Sequence, residues 1–217
     1  MGIEDNINEI RKNIGSNITL IAVSKTHNID EIKVAYNKGS RDFGENKVQE
    51  LLDKIDHIGT DARWHIIGHL QRNKVKYIAG RVFMIHSLDN IKLLEEIEKQ
   101  FSKINEEAKV LIEINIGREP SKTGIFFEEL DELLSAIEKC KFVKVKGLMA
   151  IIPIGDVESS RKYFKEMRIL WENIKQKRLA NISMDYLSMG MTNDYKIAIE
   201  EGSNMIRIGE GIFGKRN

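Results

Sequence analysis

Eight short strand candidates, most of them rich in β-branched and aliphatic residues and separated by enough chain for helices, limit this sequence more than any other feature. The runs cover residues 18–26, 41–44, 63–67, 82–86, 109–116, 142–151, 182–187 and 205–208. Helical spacing of apolar residues marks 4–13, 29–37, a stretch through Leu51, Leu52 and Ile55, a short segment after 67, then about 90–104, 126–140, 157–178 and 193–201. Asn28 is placed to cap the second of these and Gly39 to stop it, while Asp89 or Asn90 opens the fifth. Asn-Gly hairpin signals are missing between the runs, and the gaps suit crossovers, so the strands are expected to be parallel. Such alternation yields an open doubly wound sheet or a closed barrel, and the count of eight favours the (β/α)8 barrel. Pro120 and Pro153 both fall just past strands. No linker or compositional break divides residues 1–217, so one domain is expected.

Composition removes several function classes. With 41% hydrophobic and 31% charged residues in 217, the chain can bury a sizeable core. A formal charge of +1 and no basic tract give no general attraction to nucleic acid or acidic membranes. The lone Cys140 excludes an internal disulfide and a cysteine-rich metal site, and no His/Cys/Asp cluster has metal-ligand spacing. No run approaches membrane-spanning length and the first residues lack a signal-peptide core, so a cytoplasmic protein, acting as a monomer, is expected. Met1-Gly2 resembles the start of a myristoylation signal, but Asn6 stands where Ser or Thr is required.

Lys25 ends the first run, between two hydroxyl residues. Ligands in such folds bind at the carboxyl ends of the strands. A lysine there either snorkels to water or serves as a nucleophile toward a carbonyl. Two stretches far downstream bear on the choice. Residues 187–194 leave the seventh strand with Ser188, Gly190 and Thr192 and enter a helix, and residues 205–211 leave the eighth through Gly209 and Gly211. Loops after strands seven and eight are the usual phosphate site of these barrels, and a helix starting at Thr192 or Asn193 would add its dipole. Hydroxyls and glycines also cap helices in every protein, but two such loops in the two expected places favour phosphate. A lysine nucleophile and a phosphate cradle suit pyridoxal 5′-phosphate (PLP) held as a Schiff base.

Six ordered motifs carry a resemblance: Ala-Val-Ser-Lys-Thr (22–26), Phe-Gly-Glu-Asn (43–46), Trp-His-Ile-Ile-Gly-His-Leu-Gln-Arg-Asn-Lys (64–74), Gly-Leu-Met-Ala-Ile (147–151), Leu-Ser-Met-Gly-Met (187–191) and Arg-Ile-Gly (207–209). Together they resemble the pyridoxal phosphate homeostasis proteins, the YggS-like or PROSC-like family. The resemblance runs from near the N-terminus to Gly214. It implies a TIM barrel of the alanine racemase N-terminal type, PLP on Lys25, and a protein of vitamin B6 homeostasis that buffers PLP and hands it to apo-enzymes without established turnover. Thr192 stands where the family often has Ser, which keeps the hydroxyl. The racemase Arg-x-Gly arrangement implies that Arg207 faces the pyridine nitrogen and leaves it unprotonated. Ile206 and Ile208 give Arg207 the opposite, barrel-facing parity.

The remaining candidates are mixed. Asn46 suits either a ring substituent or a helix cap. His65 and His86 end the third and fourth strands, where a histidine is more often a satisfied structural group than a catalyst. Glu113 and Asn115 share a face of the fifth strand, opposite Val110, Ile112 and Ile114, and line the mouth or form a core network. Met149, Met189 and Met191 suit packing around a ring. The expected cofactor-binding set is therefore Lys25, Asn46, His65, Ser188, Met189, Thr192, Arg207 and Gly209, with Lys122 left open as a second PLP lysine. The alternative is a PLP-dependent amino-acid racemase, which needs an acid/base group on each face of the substrate. With the chain ending at Asn217, the racemases' added domain and its tyrosine are not expected, leaving the cofactor uncovered. A Schiff-base sugar-phosphate aldolase would want its lysine on a late strand.

Overall fold

The computed structural model describes residues 2–120 and 122–214; Met1 and Asn217, named above, lie outside them. Among the described residues eight parallel strands close in chain order: β1 (Thr19–Val23), β2 (Asp42–Glu45), β3 (Arg63–Ile66), β4 (Met84–Leu88), β5 (Ala108–Ile114), β6 (Val143–Ala150), β7 (Ile182–Ser188) and β8 (Met205–Ile208). β8 pairs back onto β1, Thr19 beside Met205 and Ala22 beside Ile208. The fold is the TIM barrel of the eight-strand reading. The helices are α1 (Ile3–Lys12), α2 (Ile29–Asn37), α3 (Val48–Ile55), α4 (Val75–Ile78, entered through a tight turn at Arg72–Lys74), α5 (Ile91–Ile104), α6 (Phe127–Ile137), α7 (Val157–Lys177), α8 (Tyr195–Glu200) and α9 (Glu210–Phe213).

Two caps form as expected. Asn28 accepts from the Glu31 amide at 2.9 Å and Glu31 returns a bond to the Asn28 amide, while Asn90 caps α5 through the Leu93 amide. Three differences bear on the site. β4 lies two residues later than the 82–86 run, which moves His86 from the end of its strand to the middle. α8 begins at Tyr195, because the Asp194 carboxylate takes the Met191 amide at 2.6 Å and holds residues 191–194 as a turn. α9 was not legible as a helix; its four residues are secured by Asn6, whose Nδ2 donates to the Ile212 carbonyl at 2.9 Å.

Strand alternation sorts the core into two layers. Val110, Ile112, Ile114, Leu148, Ile206 and Ile208 pack with the helices in the outer layer. Ile21, Val23, Ile67, Met84, Leu111, Met149 and Met205 form a separate cluster inside the barrel. That inner filling occupies part of the bore. The rest is polar: Asp42, His65, His86, Glu113, Ser188 and Arg207 share the inward parity and are all buried. Among the described residues no helix is long and apolar enough to cross a membrane.

β6 changes register against β7 between Val145 and Gly147, and Gly147 takes φ +149 at that irregularity. A Cβ there would stand 1.8 Å from the Tyr186 carbonyl oxygen. Gly147→Ala should therefore cost about 3 kcal/mol or more, from backbone strain and overlap with a neighbouring strand that cannot move aside. Urea unfolding monitored by circular dichroism measures it, and a loss within about 0.5 kcal/mol would show that β6 can shed the irregularity.

Candidate functional site

The site is built at the carboxyl ends of the strands. β1 stops at Val23, and Lys25 lies two residues on, half-buried, in a turn closed by the His27 amide donating to the Ser24 carbonyl at 3.1 Å. Thr26 adopts φ +68, a left-handed conformation that costs a β-branched residue roughly 1–3 kcal/mol. The His27 ring stacks on Phe213 at 4.6 Å, setting α9 against this turn. Gly209, the first residue past β8, lies against Val23: a Cβ on it would be 3.4 Å from the Val23 carbonyl oxygen. Its neighbour loop joins in, because the Gly211 amide donates to Thr192 Oγ1 at 3.1 Å. The lysine turn and the loops after β7 and β8 thus form one rim.

Beneath the rim the inward polar residues form one hydrogen-bonded chain. Arg207 Nη1 donates to Ser188 Oγ at 2.7 Å and to the Ser188 carbonyl at 2.8 Å, and Nη2 to the Ala150 carbonyl at 2.9 Å. Ser188 Oγ meets His86 Nδ1 at 3.3 Å, His86 Nε2 meets His65 Nδ1 at 2.9 Å, and His65 Nε2 meets Asp42 Oδ1 at 3.0 Å. An arginine can only donate and an ionised carboxylate can only accept, so both ends dictate the same direction. Ser188 donates to His86, His86 to His65, and His65 to Asp42, with both imidazoles neutral and protonated on Nε2. Asp42 also takes Arg63 at the opposite end of the barrel, beside a cavity of about 610 Å³ lined by Arg11, Arg41 and Arg63.

The electrostatics match this ordering. Burial pushes the Asp42 carboxyl up, but hydrogen bonds from His65 and Arg63 outweigh it and hold Asp42 below the usual range. Burial lowers His65, partly offset by Asp42, and lowers His86 well below 6.5, with the repulsion that a protonated His65 would exert and the Arg207 cation adding to the effect. Burial brings Arg207 down to about 10, still a cation at neutral pH. Three of its five N–H donors are used by the bonds above, which leaves donors for an acceptor such as a pyridine nitrogen at the rim. Glu113 lies level with Met149 and, through it, Ser188; burial raises its pKa, Thr123 occupies Oε1, and Oε2 is buried with no partner among the described residues. These residues fit a small ligand with a phosphate, a carbonyl and a ring nitrogen.

Comparison with known proteins agrees with this geometry. The family described as alanine racemase, N-terminal domain, matches residues 2–217. A pyridoxal phosphate homeostasis protein of Aquifex aeolicus is 44% identical, the match covering 91% of this chain and 86% of the relative. The chain belongs to the pyridoxal phosphate homeostasis protein family. PipY of Synechococcus elongatus, solved with PLP bound, superposes with a TM-score of 0.91 at 30% identity, over 98% of this chain and 100% of that one. An alanine racemase of Clostridium difficile shares the fold, with a TM-score of 0.83 at 13% identity, over 99% of this chain and 57% of that one.

For this family member the structure rearranges the expected site. Lys25, Thr192 and Gly209 come together at the rim, with Arg207 inside it. Asn46 follows β2, half-buried; Lys47 rather than Asn46 is the α3 cap residue, so the cap alternative fails. Ser188 was expected on the phosphate, but its hydroxyl is wholly buried and committed to Arg207 and His86. His65 sits one step further down, bonded to His86 and Asp42, so it supports the site instead of lining it. Met189 packs in the outer layer and Met191 is exposed, leaving only Met149 under the mouth. Asn115 staples its own loop through the Glu119 and Lys122 carbonyls, and Lys122 pairs with Glu119 at 2.5 Å on that loop. The helix-dipole argument for Thr192 falls with the later start of α8, which is only six residues long.

Sequence reasoning missed three residues behind the lysine turn. Buried Glu45 and Lys54 and half-buried Glu50 form an ion cluster between the barrel and α3. One signal was available: Lys54 continues the apolar face of Val48 and Leu51, an odd place for a lysine with nothing to pair with.

The neutral histidine pair has a pH signature. Both folded-state pKa values lie below the unfolded value of about 6.5, so the unfolded chain takes up protons first. Their contribution is fully present above pH 6.5 and is lost as pH falls toward the folded values. Glu45 and Glu113, raised by burial, act in the opposite sense but equally in a variant. His86→Asn should reduce the pH slope of the unfolding free energy between pH 7 and 5.5 by up to about 1.4 kcal/mol per unit, one proton's worth. Denaturant titrations at several pH values measure the slope, and an unchanged slope would mean that His86 is protonated in the folded protein.

Proposed function

We propose that this protein binds PLP, held covalently through Lys25 as a Schiff base, and serves as a cytoplasmic, monomeric carrier that supplies the cofactor to PLP-free enzymes. The observation that carries the reading is the meeting of the Lys25 turn with the β7 and β8 loops directly above a buried, oriented arginine. PLP supplies an aldehyde for a lysine amine, a dianion for a loop cradle and a ring acceptor for a guanidinium. On this reading Lys25 holds the aldehyde carbon, Thr192 and the backbone around Gly209 take the phosphate, and Asn46 faces a ring substituent. Arg207 gives a hydrogen bond to the ring nitrogen. Ser188 and His86 keep Arg207 in that orientation, and His65 and Asp42 fix their hydrogen positions. A permanently charged donor at that nitrogen holds it unprotonated, which suits storage of the cofactor better than carbanion chemistry.

Borohydride treatment of the PLP-loaded protein, followed by peptide mass analysis, should place the adduct on the Lys25 peptide, and Lys25→Ala should abolish it. Thr192→Ala should weaken PLP by about tenfold and pyridoxal hardly at all, since only the former presents the dianion to a charge-assisted bond. The loaded protein should also reactivate a PLP-free transaminase. An adduct confined to Lys122 or another lysine, or equal losses for both ligands, would overturn these assignments.

A further inference from the structure

Lys25 is flanked by two residues that are both held from outside the barrel. Ser24 Oγ donates to Glu45 Oε1 at 2.7 Å, and Lys54 Nζ donates to the Ser24 carbonyl at 2.7 Å. The same ammonium bonds Glu45 Oε1 at 2.8 Å and Glu50 Oε1 at 2.7 Å, and Glu50 Oε1 accepts the Thr26 amide. One buried cation thus spends its three donors on the carbonyl before Lys25 and on the two carboxylates that grip Ser24 and Thr26. Lys54 is 6% exposed and Glu45 fully buried, in the layer between β2 and α3. The strained residue, Thr26 at φ +68, is the one whose amide this cluster holds.

We infer that Lys54 is a positioning residue for the cofactor: with Glu45 and Glu50 it clamps the Ser24–Thr26 turn so that Lys25 is presented to the rim in its bonding geometry. This rests on Lys25 as the attachment point of PLP. The physical reason is that a lysine side chain has four rotatable bonds, so its aim is only as good as the backbone beneath it, and a left-handed threonine relaxes unless neighbours over-determine it. Removing the ammonium leaves the buried Glu45 carboxylate without its counter-ion beside the half-buried Glu50 and releases both sides of the turn.

Lys54→Met keeps the aliphatic stem and removes the charge. In the cofactor-free protein, hydrogen exchange at the Thr26 amide should accelerate at least about tenfold, and the PLP dissociation constant should rise by a similar factor. In a Lys25→Ala background the same substitution should change PLP affinity by less than about twofold, since nothing remains to be positioned. Glu50→Gln retains an acceptor for Thr26 and should reproduce both effects at reduced size, which keeps the comparison available if Lys54→Met does not fold. Unchanged affinity in Lys54→Met, or an equal loss with and without Lys25, would overturn the positioning role. If Lys25→Ala alone left PLP affinity unchanged, the attachment reading itself would fall, a different failure from one in which Lys25→Ala weakens binding and Lys54→Met does not.

Discussion

A guanidinium buried inside a parallel barrel is the constraint on which this structure turns. An unpaired charge there would be prohibitive, and the bore of an eight-stranded barrel is normally filled with branched aliphatic side chains. Here Arg207 is 4% exposed and is satisfied by two carbonyls and a hydroxyl, and the hydroxyl in turn orders two histidines that end on a carboxylate. Cation and anion occupy opposite ends of a chain in which every link has one permitted direction. Such a network costs stability relative to an apolar filling but leaves a single arrangement of the site, with Arg207 donors to spare for a ligand.

The barrel wall separates two devices that converge on the same rim. The Asp42–His65–His86–Ser188–Arg207 chain works from within the bore, and the Glu45–Lys54–Glu50 cluster works from the outer layer. Strand alternation alone distributes them: on β2, Asp42 and Gly44 point inward, while Phe43 and Glu45 point out. Gly44 has no room for a side chain, since a Cβ would come within 3.0 Å of Ile21 and Ile67 in the inner cluster. One four-residue strand therefore feeds both supports.

This division of labour separates residues that look equivalent in the sequence. Ser188 and Thr192 look alike on paper, two hydroxyls in one loop motif. Ser188 is the last residue of β7 and faces inward, so Arg207 reaches it first; Thr192 lies four residues further on and meets the β8 loop instead. The sequence reading puts His65 and His86 at strand ends; the extension of β4 through Leu88 sets His86 mid-strand, and inward parity on β3 sets His65 beside it in the bore.

From sequence alone the barrel was favoured over an open doubly wound sheet, because eight strand candidates alternating with helices and lacking hairpin signals leave few ways to bury their faces. The inward parity of Arg207 and the place of Lys25 and the last two loops at the carboxyl ends of their strands were likewise legible, since period-2 alternation and chain order are local properties. Only the tertiary structure decided which polar groups meet. Lys54 reaches Ser24 across 30 residues, Ser188 reaches His86 across 102, and Asn6 reaches Ile212 across 206. Hydrogen bonds are directional and act over about 3 Å, so they depend on register and barrel closure, which no local pattern in the sequence encodes.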